Sequence, residues 1–209
     1  SIPYFLWKDF YTGYGWYRRT VVLDKEDLER EIFLEFDGVF QVAEVYMNGH
    51  LVGTHEGGYT GFNVRLTPYV KEGKNNIAVR VNNLWRGDVA PRGGEHVFSG
   101  GIYRNVRLVK KNPAHIDWYG TFVMTPALAA HKGRSSSVRV QTDVRNLSEE
   151  EGPYELRVQV LDENRRIVAE RKAVRRVEAQ SLAHFDLTTD EIEGVALWHP
   201  SHPHLYSVV

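Results

Sequence analysis

The sequence predicts an all-β chain of two sandwiches, and three observations carry that reading. Apolar residues recur with a period of two, as in Ile77, Val79 and Val81, or Val138, Val140, Thr142 and Val144. Alternation of this kind sends one set of side chains to a buried sheet face and the other to water. Each run is short and bounded by Gly, Asn, Asp or Pro, and no long amphipathic helix appears. The pattern is broken once, near Lys110-Lys111-Asn112-Pro113, where charge and proline interrupt it. With 209 residues, two β-sandwiches of about 100 residues each follow, 1–112 and 113–209.

Taken in order, Tyr14–Leu23 opens the first sheet, and a short helical turn fits Asp24–Leu28. Glu31–Phe36 reads as the next strand. Val42–Met47 and Leu51–His55 flank Asn48-Gly49, the strongest short hairpin signal, because a type I′ turn needs positive φ at both central residues. Phe62–Leu66 is a strand and Thr67–Val70 a second site for a helical turn. The segment Gly87–Gly101 is long, Gly- and charge-rich and without period; such loops in a compact β domain are commonly functional. Val106–Lys110 closes the first sandwich. His115–Val123 begins the second, Ala127–Ser137 reads as a surface loop, and the alternating runs Val138–Val144 and Leu156–Val160 supply its core.

Composition removes several functions. Lys+Arg number 26 and Asp+Glu 27, a net charge of −1 that offers no general field for nucleic acid or an anionic membrane. There is no cysteine, hence no disulfide, thiolate metal site or cysteine nucleophile, although this does not fix the compartment. No apolar run approaches the roughly 18 residues of a membrane span. Gly13 and Gly15 are followed by Arg18 rather than glycine, so no dinucleotide fingerprint is formed. Phosphate-loop, zinc-protease and serine-hydrolase motifs are absent.

Three features stand out. Gly15-Trp16-Tyr17-Arg18-Arg19 sets two aromatics beside a basic pair; these are core aromatics with solvated arginines, or an anchor against a neighbouring domain. The loop from Asn82-Asn83 through Arg86-Gly87-Asp88 to Arg92-Gly93-Gly94-Glu95-His96 concentrates amides, acids, bases and one Trp. Sugars are bound by such mixtures, with planar groups against ring faces and carboxylates or amides on hydroxyls; a plain polar surface loop has the same composition. Trp198-His199-Pro200-Ser201-His202-Pro203-His204 holds three histidines, but its prolines and lack of a second ligand pair favour a rigid turn over a metal site. Asn146-Leu147-Ser148 fits the common glycosylation tripeptide.

Eight stretches, in order, resemble the non-catalytic front of family 2 glycoside hydrolases, the β-galactosidase, β-glucuronidase and β-mannosidase group. They are Gly15–Arg19, Phe36-Asp37-Gly38-Val39, Val45–Gly49, His55-Glu56-Gly57-Gly58-Tyr59-Thr60-Gly61-Phe62, Thr67-Pro68-Tyr69, Ala78–Asn83, Ser99-Gly100-Gly101-Ile102-Tyr103-Arg104 and Trp198–Tyr206. His115–Thr121 looks most like the bacterial β-galactosidase branch. The resemblance implies a jelly-roll sugar-binding-type sandwich, then an immunoglobulin-like one. It also implies a catalytic (β/α)₈ barrel elsewhere in the parent, bearing both catalytic glutamates. No Asn-Glu-Pro segment occurs here, so no catalytic residue is assigned. The family pattern continues past the last shared stretch with a returning strand, which implies an expressed fragment whose second sandwich presents an edge at which copies would pair.

By the same resemblance, a jelly-roll loop reaches the sugar in the barrel. Counting back from Gly100-Gly101-Ile102-Tyr103, the acidic contact aligns near Glu95 in the glucuronidase-like register and near Asp88 in the galactosidase-like one, with Arg92 and His96 as secondary candidates. The expected parent is a retaining β-galactosidase-type enzyme that binds a β-galactoside and needs no cofactor. The alternatives are a self-sufficient carbohydrate-binding module, a purely structural module, or the front of a β-glucuronidase or β-mannosidase.

Overall fold

A computed structural model describes residues 11–84, 86–89 and 100–209. The chain forms two compact units, Ser1–Asn112 and Pro113–Val209. Its described helical residues are two single 3-10 turns, Asp27–Glu29 and Thr67–Tyr69; the regular structure is otherwise strand.

The first unit contains β1 (Tyr14–Leu23), β2 (Glu31–Phe36), β3 (Val39–Phe40), β4 (Val42–Met47), β5 (His50–Glu56), β6 (Phe62–Arg65), β7 (Gly73–Asn82), β8 (Gly101–Ile102) and β9 (Val106–Lys111). An antiparallel sheet of order β1-β7-β4-β5 packs against one of order β6-β2-β9, the jelly-roll sandwich, with β3 and β8 as a short pair. Alternation decides which side chains go inside. Ile77, Val79 and Val81 of β7, Val45 and Met47 of β4, and Ile32, Leu34 and Phe36 of β2 are all buried. Burial of each such side chain contributes about 1.5–3 kcal/mol. His55 of β5 stacks on Phe62 of β6 at 4.2 Å, and Phe62 stacks on Phe36 at 4.5 Å, joining the two sheets.

The β4–β5 hairpin turns at Asn48 and Gly49, with φ of 50° and 89°. Both central residues are left-handed, as a type I′ turn demands. Asn48 accepts the Asn76 amide at 2.9 Å and donates to the Tyr69 carbonyl and Asn75 Oδ1, both at 2.8 Å.

The second unit contains β10 (Ala114–Met124), β11 (Ser135–Ser136), β12 (Arg139–Asn146), β13 (Gly152–Leu161), β14 (Ile167–Val177), β15 (Ser181–Thr188), β16 (Ile192–Glu193), β17 (Trp198–His199), β18 (His202–Pro203) and β19 (Ser207–Val208). Sheets of order β10-β12-β15 and β14-β13-β19 form the immunoglobulin-like sandwich, with β11-β16 and β17-β18 as short pairs. Val140, Val158, Val160 and Leu187 form one core cluster; Val144, Val177 and Phe185 form the other. The last residues join the sheet: Val208 lies opposite Val160, and Val209 exchanges two backbone hydrogen bonds with Gln159, each 2.9 Å. The end of the stretch read as a surface loop is not at the surface, because Ser135 and Ser136 are buried and paired with β16.

Candidate functional site

The long loop leaves the first sandwich where β5 and β7 end. Gln41, between β3 and β4, is fully buried there. Its backbone N–H donates to Asn82 O at 3.0 Å and its carbonyl accepts from Gly57 N at 2.9 Å, tying the two strand ends together. Its side chain faces the loop. Oε1 accepts the Arg86 amide at 3.2 Å, and Nε2 donates to Val89 O at 3.3 Å. Val89 N in turn donates to Arg86 O at 3.3 Å. Residues 86–89 are therefore one closed turn, bracketed from inside by a single amide.

Arg86 carries the charge of this turn. Nε and Nη2 donate to the two oxygens of Asp88 at 3.0 and 2.6 Å, and Nη1 donates to Glu56 Oε1 at 2.9 Å. One guanidinium thus joins the end of β5 to the loop. Asp88 first, then Glu56, raise the Arg86 pKa above the usual arginine value. Asp88 keeps 68% of its side-chain surface exposed.

The Asn82-Asn83 doublet sets the loop's start. Asn82 Oδ1 accepts Leu84 N at 3.0 Å, an Asx turn. Asn83 accepts Gly13 N at 2.7 Å and donates to Tyr11 O at 2.8 Å, holding the segment before β1 against the loop. On the far side of the loop, the Tyr17 hydroxyl accepts the Ile102 amide at 3.2 Å. Gly101 has φ of 79°, and a Cβ there would collide with that hydroxyl, so only glycine serves. Tyr103 donates to Gly58 O at 2.7 Å, linking the same end to the loop after β5.

Of the four residues expected to meet a sugar, Asp88 lies in this cluster. Arg92, Glu95 and His96 lie outside the described residues. Arg86 was one member of a polar run in the sequence; its bridging role was not legible there. Glu56 lies inside the shared stretch His55–Phe62, whereas no sequence signal marks Gln41.

The other two features resolve differently. In the Gly15–Arg19 motif, Trp16 lies against Tyr46 with ring centroids 5.7 Å apart, and Arg18 sits 4.9 Å over the indole. With Arg19, Thr20 and Asn76 these residues line an open groove on the outer sheet face. The histidine-rich stretch is an exposed hairpin of β17 and β18. His199 Nδ1 accepts Ser201 N at 3.2 Å, and His204 lies 3.2 Å from Glu163, so these two histidines have separate partners. Among the described residues, no three His, Asp or Glu side chains gather as metal ligands.

Two family models divide the chain. "Glycosyl hydrolases family 2, sugar binding domain" matches residues 8–112, and "Glycosyl hydrolases family 2" matches residues 114–209. The chain belongs to glycoside hydrolase family 2. Similar curated proteins include a β-glucuronidase of Formosa agariphila, 34% identical over 94% of this chain and 21% of that protein. A β-galactosidase of Bacteroides ovatus is also 34% identical, over 94% of this chain and 22% of its own length. The solved Bacteroides uniformis β-glucuronidase 2, covalently bound to cyclophellitol-6-carboxylate aziridine, superposes with a TM-score of 0.89 and 31% identity, over 96% of this chain and 24% of that one. This family 2 chain thus spans between a fifth and a quarter of the length of these relatives.

Proposed function

We propose that this chain is the non-catalytic front of a family 2 enzyme that releases terminal β-linked galactose or glucuronic acid, and that alone it turns over neither. The carrying observation is the Glu56–Arg86–Asp88 bridge at the root of the long loop. An exposed carboxylate on a fixed turn suits acceptance of hydrogen bonds from sugar hydroxyls. Its role is therefore orientation of substrate, not proton transfer. Catalysis belongs, by family resemblance, to two glutamates of a barrel in the parent.

The relatives named above support galactoside and glucuronide about equally, which broadens the β-galactoside reading of the sequence. The test is turnover of 4-nitrophenyl β-galactoside and β-glucuronide by the full-length parent. Activity on at least one is expected; activity on neither overturns the proposal.

A further inference from the structure

We infer that the outer face of the first sandwich holds a ligand groove shaped for a sugar ring that carries a carboxylate, a hexuronate. The groove is built on strand positions of β1, β7 and β4 rather than on the long loop, and it does not depend on what the parent hydrolyses.

Strand register makes it. Residues directly opposite one another share a sheet face. Arg18 of β1 lies opposite Ala78 of β7, and Ala78 lies opposite Tyr46 of β4. A single methyl thus stands between a guanidinium and a phenol ring, which leaves a depression between them. One step along, Trp16 lies opposite Arg80, and its indole sits against Tyr46 at 5.7 Å and 39°. Thr20 and Asn76 bound the other end, joined by a 2.9 Å hydrogen bond. The volume is about 460 Å³, within the range of small-molecule sites.

The lining has contacts left to give. Trp16 keeps 46% of its surface exposed, and an aromatic face suits the C–H face of a sugar ring. Arg18 lies 4.9 Å over that indole, and among the described residues no carboxylate pairs with it. The acid nearby, Glu44, is already satisfied, with one oxygen on Arg80 and the other on the Tyr46 hydroxyl. The charge of Arg18 is therefore uncompensated at the groove, and its planar fork takes a carboxylate through two hydrogen bonds. Asn76 accepts from Thr20 through Oδ1, so its Nδ2 can donate to a sugar hydroxyl. A carboxylate alone would leave the rings bare, and a neutral sugar would leave Arg18 unpaired. A hexuronate uses both.

The experiment titrates the 209-residue chain with methyl β-D-glucuronide, followed by backbone amide NMR shifts. Methyl β-D-glucoside, which lacks only the carboxylate, and a glutamate-rich peptide run alongside. A Kd of about 1 mM is expected for the glucuronide, the scale of a single sugar on an open face. Shifts should cluster on 16–20, 46 and 76–78. The glucoside should bind about ten-fold more weakly, and Arg18→Gln should bring the glucuronide down to that level. Ala78→Leu fills the depression and should abolish binding, whereas Ala78→Ser keeps it open and should bind as wild type. A Tm within about 2 °C of wild type shows that a variant is folded.

Absence of glucuronide binding up to about 20 mM, or shifts away from the groove, would overturn the site. Equal binding of glucoside and glucuronide would overturn the role of Arg18. Tighter binding of the peptide than of the glucuronide would make the occupant an acidic chain segment, and the sugar assignment would fall.

Discussion

Arg65 grips Glu31 through two hydrogen bonds, Nε to Oε2 at 2.6 Å and Nη2 to Oε1 at 2.8 Å. The pair spans β6 and β2, and Glu31 is buried, with 7% of its side chain exposed. Thr67 completes it by donating to Glu31 Oε2 at 2.7 Å while accepting the Ile32 amide at 2.9 Å. The acid therefore ties the turn after β6 to the start of β2.

Glu31→Ala is expected to destabilise the chain by about 2 kcal/mol, read from urea unfolding. Breaking a buried pair costs about 3–5 kcal/mol, but Arg65 is 39% exposed and water can replace part of the loss. Thr67→Val should cost less, about 1 kcal/mol, because it leaves the ion pair in place.

At the hairpin, Asn48→Ala is expected to cost more than Gly49→Ala. A methyl on Gly49 meets nothing within 4 Å, so its cost is conformational, about 1 kcal/mol. Asn48 loses three hydrogen bonds as well as a residue tolerant of positive φ, about 2 kcal/mol. Thermal melts of the two variants check the order.

His55 makes stability depend on pH. Burial against Phe62 pushes its pKa below the ordinary histidine value, partly offset by the Gly57 backbone. The unfolded chain therefore binds the proton first, and stability falls as pH drops below about 6.5, levelling once the folded histidine is also charged. His55→Phe keeps a ring on Phe62 and should flatten this slope. Denaturation midpoints between pH 5 and 7.5 read it; an unaltered slope in the variant would refute the assignment.

The glycosylation tripeptide is expected to carry no glycan. Asn146 is fully buried; its Nδ2 donates to Glu150 O at 2.8 Å and Glu178 O at 3.0 Å, and its Oδ1 accepts Ser148 Oγ at 2.7 Å. Intact mass from a glycosylating host should show no addition at Asn146. Asn146→Asp should destabilise by about 2 kcal/mol, since an oxygen then faces those carbonyls.

These residues also mark what could be read from sequence. The type I′ turn was legible because Asn-Gly answers a purely local demand for positive φ. The span of β2 was legible from its neighbours in the chain, but its faces were not. Alternation assigns Glu31 and Phe33 to water, yet both are buried, because Arg65 clamps one and Lys111 lies 5.6 Å over the ring of the other. The loop was visible as a polar, aperiodic stretch. Its foot was not, because Gln41 acts on residues 45 and 48 positions away. Asn146 shows the converse: a local pattern suggested a surface modification, and contacts from distant strands make it a core tie.

The most direct test of the whole account assays this 209-residue chain and the full-length parent side by side on aryl β-galactoside and β-glucuronide. The account predicts turnover by the parent and none by the chain. Turnover by the chain alone, or by neither protein, would contradict it.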